Sequence, residues 1–233
     1  FFDDTVQEIG AFKIRGATNF VQQISKQQAE LGVVTHSSGN HGQAVAAAAK
    51  DRCIKSTVVM PQSASNVKKQ AVASYGAQVV ICEDGDEARS NSAAKYEAKG
   101  AILVHPYGHP WIIAGQGTLG METAFQCKNL NIFPDQIICP CGGGGLISGT
   151  AIAMQHHFPK IPVWAAEPEN YDDTKRSLEA GKRLSNKTDN FSICDSIVTP
   201  IPGELTFPIL KKLLIGGKVV NEPQILDAMI TAM

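Results

Sequence analysis

Three short stretches hold residue types that could do chemistry together. The first is GAFKIRGA (10–17), where Lys13 stands between Phe12 and Ile14. A lysine in apolar surroundings usually lays its stem on the surface and sends its ammonium to water; kept dry, it is a nucleophilic amine able to condense with a carbonyl. The second is THSSGNHGQA (35–44), in which Ser37, Ser38, Asn40 and His41 offer hydroxyl, amide and imidazole groups where a helix opens. The unpaired N–H groups of that first turn would accept a carboxylate. A helix cap needs one such side chain, and here there are four. The third is PCGGGGLISGT (140–150), with Gly142, Gly143, Gly144 and Gly145 in succession. Each glycine costs roughly 0.5–1 kcal/mol relative to Ala in ordered structure. A phosphate held by consecutive backbone N–H groups at a helix N-terminus offsets that cost, because side chains would block its approach. A tight turn would need one or two glycines.

The glycine run carries neither the GxGxxG dinucleotide fingerprint nor GxxxxGK(S/T), so the phosphate of a smaller cofactor fits it better than NAD or a nucleoside triphosphate. HPYGHPWIIAGQGT (105–118) places Gly115, Gln116 and Gly117 where they would close the pocket ahead of another helix. Cys139 and Cys141 form a CPC without the paired spacing and nearby histidines of a zinc site.

The elements that position these stretches are legible as alternation. Strands are expected at 32–36, 56–61, 77–83, 101–106, 135–140 and 162–168, where β-branched and apolar residues run together. Helices are expected at about 40–51, 65–75, 86–99, 111–128, 146–157 and 173–181, with Ser65 as an N-cap and Gly76 closing the second. The pattern predicts an α/β fold of open twisted, mostly parallel sheets flanked by helices, in two lobes. The expected division is a large cofactor-binding domain of residues 1–31 and 109–233 and a small substrate-side domain of 32–108. Ligands in such sheets sit beyond the carboxyl ends of strands, where the polar loop and the glycine loop both fall. Residues 181–204 read as a long surface connection. A helix over TFPILKKLLIGG and a terminal one at ILDAMITAM follow.

Bulk properties exclude several classes. The 233 residues carry a net charge of −1 with 18% charged side chains, and the basic residues are scattered, so neither a nucleic acid nor an anionic membrane is an expected partner. The longest apolar runs fall well short of a membrane span of about 20 residues. Six cysteines without a regular framework predict reduced thiols and a cytoplasmic location.

In this order and spacing, GAFKIRGA, SSGNHGQA and GGGGL resemble the fold type II, tryptophan synthase β-like, pyridoxal phosphate enzymes. Within that group the chain is similar to the serine racemase and serine/threonine dehydratase family over essentially its whole length. The resemblance implies pyridoxal 5′-phosphate as cofactor, with Lys13 as its Schiff-base lysine, Phe12 against its ring and Asn40 on its ring hydroxyl. Gly142 to Gly145 and the N–H of Leu146 would hold its phosphate. Ser37, Ser38, Asn40 and His41 would receive the substrate carboxylate, with Tyr107 near the substrate side chain. The implied activity is racemisation, β-elimination to a keto acid and ammonia, or both, on a β-hydroxy amino acid such as serine, threonine or 3-hydroxyaspartate.

In that scheme Lys13 takes the Cα proton on one face, and Ser38, the residue serine racemases use on the other, tilts the balance towards racemisation. AAEPENYDD (165–173) resembles the family's divalent cation site. Glu167, Asp173 and the carbonyl of Tyr171 would make an oxygen shell suited to Mg²⁺ or Ca²⁺. A homodimer is implied too, with a nucleotide effector at positions matched by Gln43 and Tyr75. The alternative from another class is a non-catalytic regulatory or binding protein that keeps the cofactor site without turnover. The chain departs from the family pattern at Tyr107, where serine racemases have Asn after HP, and at Ser196, where ADG usually ends in Gly. The family's SGGN-like motif and its N-terminal helix have no counterpart here, and the chain, which begins FFDD, reads as an internal fragment of a longer enzyme.

Overall fold

The computed structural model describes residues 2–37, 39–187 and 192–232, with Asp86 described by its backbone alone. The chain parts into two compact units, residues 1–116 and 117–233.

The first unit contains α1 (Lys13–Gln23), α2 (Lys26–Glu30), β1 (Val33–His36), α3 (Asn40–Asp51), β2 (Ser56–Pro61), α4 (Asn66–Ser74), β3 (Gln78–Cys82), α5 (Asp86–Glu97), β4 (Ile102–Leu103) and the start of α6 (Pro110–Asn129). Its sheet has the order β3-β2-β1-β4. All pairs are parallel, with Val33 opposite Ser56 and Ile102, and Thr57 opposite Gln78. Ser65 caps α4 by accepting the N–H of Lys68, and Gly76 follows that helix at φ +85°.

Small side chains decide how α1 docks. The buried alanines of α3 let Ile14, Ala17, Phe20 and Val21 of α1 approach closely, and together they make one apolar cluster. Arg52 then donates to the carbonyls of Val21 and Ile24 at the C-terminal end of α1. This packing holds α1 against α3 within the first unit. The expectation that Gly115, Gln116 and Gly117 form a pocket-closing stretch ahead of a helix is corrected, because all three lie inside α6. A Cβ at Gly115 would stand 2.6 Å from the carbonyl oxygen of Arg15 and from Cα of Gly16. Gln116 Oε1 accepts the N–H of Gly16 at 3.2 Å. Gly115 is therefore glycine because two helices touch there.

The second unit holds the rest of α6, β5 (Ile137–Pro140), α7 (Gly145–His157), β6 (Val163–Pro168), α8 (Asp173–Ala180), α9 (Thr206–Leu213), β7 (Gly216–Val220) and α10 (Glu222–Ala232). Its sheet is parallel in the order β5-β6-β7, over a core that includes Cys139, Ile147, Met154, Val163, Ala165 and Leu210. The helix expected over TFPILKKLLIGG stops at Leu213, and its two glycines begin β7. They do so because the strand leaves no room for side chains. A Cβ at Gly216 would lie 3.1 Å from the Trp164 ring, and one at Gly217 2.5 Å from Cβ of Lys175. The six cysteines are free thiols, and among the described residues no helix is long and apolar enough to cross a membrane.

Candidate active site

Lys13 opens α1, directly after Phe12, whose ring centre is 5.2 Å from the lysine Nζ. The amine donates to the carbonyl oxygen of Pro106 at 3.0 Å. Although the residue as a whole is half-buried, its amine is desolvated, which lowers its pKa from 10.5 to about 8. The bland surface lysine of the sequence is thus a poorly hydrated amine that sheds its proton far more readily than an ordinary lysine.

The polar loop follows β1 and runs into α3. Gly39 is the N-cap of α3 and supplies no side-chain cap to the first-turn N–H groups. Ser37 Oγ accepts the N–H of Gly39 at 3.1 Å, and Asn40 is exposed at the first helical position. Ser38 lies outside the described residues. His41 is buried, and its Nε2 meets the carbonyl oxygen of Val104 at 2.9 Å, which fixes the proton on Nε2. Its Nδ1 has no hydrogen-bond partner among the described residues. Desolvation, with Lys13 nearby as the next cause, drives its pKa well down and keeps the ring neutral. The ring therefore has no N–H to give a carboxylate, and a carboxylate role for His41 passes to its backbone N–H in the first turn of α3.

Two further histidines gather here that the sequence reading did not single out. His105 Nδ1 accepts the N–H of Gly108 at 2.8 Å and of Tyr107 at 3.3 Å, and desolvation lowers its pKa to about 4. Its ring packs edge-on to Tyr107, with centroids 4.6 Å apart, and faces His36 at 6.1 Å. A signal for both was present. VVTH and ILVHP each put a histidine at the carboxyl end of a parallel strand, where ligands bind.

In the second unit, β5 leads through Gly142–Gly144 into α7. Gly144 is the N-cap in the left-handed region at φ +89°, and α7 has no side-chain cap. A Cβ at Gly142 would come 3.1 Å from Cα of Ile197, and one at Gly144 2.9 Å from Oγ1 of Thr206. The loop thus has little room for a side chain at Gly142 or Gly144, with an uncapped helix N-terminus behind it. That arrangement fits a phosphate bound through backbone N–H groups at Gly142, Gly143, Gly144, Gly145 and Leu146.

Glu167, the last residue but one of β6, is fully buried. Its Oε1 accepts the N–H of Thr174 at 2.8 Å and its Oε2 that of Lys175 at 2.9 Å, so it caps α8. Asp173, the first residue of α8, is also buried. Its Oδ1 accepts from Asn186 Nδ2 at 2.6 Å, while its Oδ2 has no partner among the described residues. Desolvation raises both carboxyls to about 7. Tyr171 is buried between them in sequence, with its N–H on the carbonyl of Pro168. Among the described residues no group of three or more His, Cys, Asp or Glu side chains could hold a metal, and the expected set has only two carboxylates and a carbonyl.

Residues 2–233 match the family described as pyridoxal-phosphate dependent enzyme. The chain is 44% identical over 230 residues to the serine racemase of Dictyostelium discoideum, covering 97% of this chain and 69% of that protein. It is 40% identical over 227 residues to the beta-hydroxyaspartate dehydratase of Paracoccus denitrificans, covering 97% and 70%. Its backbone superposes on maize serine racemase with a TM-score of 0.92 at 39% identity, over 98% of this chain and 68% of that one. The chain spans about two thirds of the length of each relative. A match of that extent, in a chain with a desolvated lysine and a glycine loop ahead of a helix, leaves one assignment: this chain belongs to the pyridoxal-phosphate dependent enzymes.

Proposed function

We propose that this protein uses pyridoxal 5′-phosphate to racemise, or to dehydrate to a keto acid and ammonia, a small β-hydroxy amino acid such as serine, threonine or 3-hydroxyaspartate. The observation that carries this reading is the Lys13 amine, desolvated to a pKa of about 8 and held by a carbonyl rather than by a carboxylate. Relatives that are a serine racemase and a beta-hydroxyaspartate dehydratase support the substrate class.

Lys13 carries the cofactor, with Phe12 on its ring and Asn40 on its ring hydroxyl. The N–H groups of Gly142 to Gly145 and Leu146 take the phosphate. Bound pyridoxal phosphate supplies an electron sink for the charge left on Cα when its proton departs. The chain does the rest. Ser37, Asn40 and the N–H groups at the start of α3, that of His41 included, hold the substrate carboxylate and so orient the Cα–H bond. The Lys13 amine takes the proton from one face. A proton delivered by Ser38 to the opposite face gives the other enantiomer, whereas loss of the β-hydroxyl as water leaves an enamine that a water molecule hydrolyses to the keto acid and ammonia. Tyr107 borders the substrate side chain.

Glu167, Asp173 and the Tyr171 carbonyl hold a divalent cation, Mg²⁺ or Ca²⁺, in this reading. The unpartnered Oδ2 of Asp173 and the raised pKa values of both carboxyls support it, since a 2+ charge would offset their desolvation. A cytoplasmic homodimer with a nucleotide effector near Gln43 and Tyr75 follows from the family resemblance.

The test is direct. The purified protein should show a visible absorbance that borohydride abolishes while fixing the cofactor on the peptide containing Lys13. Incubation with L-serine, L-threonine and L-threo-3-hydroxyaspartate should yield keto acid, the opposite enantiomer, or both. A protein that takes up the cofactor and makes neither product is a binding or regulatory protein instead.

A further inference from the structure

Consecutive glycines have little reason of their own to orient a peptide plane one way and not the other. Without Cβ atoms, a compensating rotation about the two dihedrals that flank a Gly–Gly peptide exchanges N–H for C=O on the same face at small cost. A flipped peptide would offer its carbonyl to an anion and repel it. A cradle for a phosphate therefore needs something outside the glycine run to choose the orientation.

One contact does so. The hydroxyl of Thr206, the first residue of α9, donates to the carbonyl oxygen of Gly143 at 2.6 Å. The N–H of Gly203 reaches the same oxygen at 3.3 Å. Thr206 is fully buried, and its Oγ1 also lies 3.3 Å from the carbonyl of Gly203. The Gly143–Gly144 peptide is trans, so its C=O and N–H point in opposite directions within one plane. Anchoring the oxygen on α9 therefore turns the N–H of Gly144 away from α9. Thr206 also limits the space behind the loop: a side chain at Gly144 would meet its Oγ1 at 2.9 Å and Leu210 Cδ1 at 3.0 Å.

We infer that Thr206 is a positioning residue for the anion cradle, a hydroxyl clamp on the Gly143 carbonyl that keeps the Gly144 N–H facing the cofactor's phosphate. Nothing in TFPILKKL marks it, since the stretch reads as the start of an ordinary amphipathic helix. The inference rests on Gly142 to Gly145 being the phosphate cradle, and the experiment separates the two.

Thr206→Val keeps the shape and removes the donor; Thr206→Ser keeps the donor and removes a methyl. Dissociation constants for pyridoxal phosphate and for pyridoxal, which lacks the phosphate, are measured on the full protein and both variants, with thermal unfolding of the cofactor-free forms alongside. Thr206→Val should weaken pyridoxal phosphate roughly ten-fold while leaving pyridoxal within about two-fold, and Thr206→Ser should restore the phosphate preference. Equal weakening of both ligands, or unchanged pyridoxal phosphate binding in a folded Thr206→Val protein, overturns the clamp. If Thr206→Val does not fold, Thr206→Cys decides: its thiol is a weak donor, and a pyridoxal phosphate affinity equal to that of the parent protein overturns the clamp equally. A parent protein that binds both ligands alike overturns the cradle itself.

Discussion

Nζ of Lys13 donates to the carbonyl oxygen of Pro106 at 3.0 Å, across 93 residues of sequence. A carbonyl accepts from an ammonium and from a neutral amine alike, so it holds the nitrogen in place without fixing its charge. Desolvation then sets the pKa at about 8, down from 10.5. Capture of pyridoxal phosphate by the cofactor-free protein should accelerate with pH up to about 8 and level off above it. Rapid-mixing absorbance between pH 6.5 and 9.5 reads this directly, and a rate still climbing beyond pH 9 would mean a lysine of ordinary basicity. The same shift has a stability sign. Between about 8 and 10.5 the unfolded chain binds a proton that the folded chain has released, so the cofactor-free protein gains stability as pH rises through that window.

Replacing the amine should remove chemistry and leave the fold. Lys13→Ala is expected to lower both racemisation and keto acid production by about a thousand-fold or more, with an unfolding midpoint at least as high as the parent's, because a desolvated charge has been taken away. Turnover assays and thermal denaturation of the same preparation check both halves.

Ser38 offers a way to separate the two outcomes. Ser38→Ala should abolish formation of the opposite enantiomer and retain part of the keto acid production, as measured by chiral chromatography beside a keto acid assay. Equal loss of both activities would refute a proton donor on the second face.

The carboxyl pair predicts a cation-linked pH profile. Both groups titrate near 7 in the folded state, against ordinary values of 4.5 and 3.8. Between about pH 4 and 7 the folded protein holds protons that the unfolded chain has released, so metal-free stability should fall as pH rises through that window and stay low above it. Mg²⁺ or Ca²⁺ should raise the unfolding temperature at pH 8 and do little at pH 5. Asp173→Asn should remove that response, and calorimetry with and without chelator would expose an unresponsive parent protein.

Two glycines with nearly the same φ should answer differently to one methyl group. Gly144→Ala combines a positive φ with contacts of 2.9 and 3.0 Å to Thr206 and Leu210, and should cost about 3 kcal/mol or more. Gly76→Ala shares the positive φ but meets nothing within 4 Å, and should cost only about 1 kcal/mol. Urea unfolding of both variants tests the contrast.

Much of this arrangement was legible beforehand where local chemistry decides it. Ser65 and Gly76 bracket α4 as a cap and a left-handed terminus, and the β-branched runs became parallel strands in both sheets. The misses share a cause, which is that long-range contact outweighed local pattern. Gly216 and Gly217 look like the end of a helix, yet they are strand residues pressed against Trp164 and Lys175. Gly115 looks like loop punctuation, yet it lets α6 touch α1. His41 reads as a polar ligand group, but its ring proton is committed to Val104, 63 residues away. No spacing rule within ten residues could have reported that bond.

The parallel strands have a practical corollary for anyone who wishes to build a sensor on this scaffold. Ser37 to His41, Tyr107 and the glycine run come after the carboxyl ends of their strands, and the Glu167–Asp173 segment spans that end of β6. The turns at the other ends of the first sheet, 52–55, 75–77 and 98–101, hold none of them. A fluorescent reporter spliced beside Gly100 should be tolerated and remain silent, whereas the same graft near Gly39 would couple light output to ligand and erase turnover.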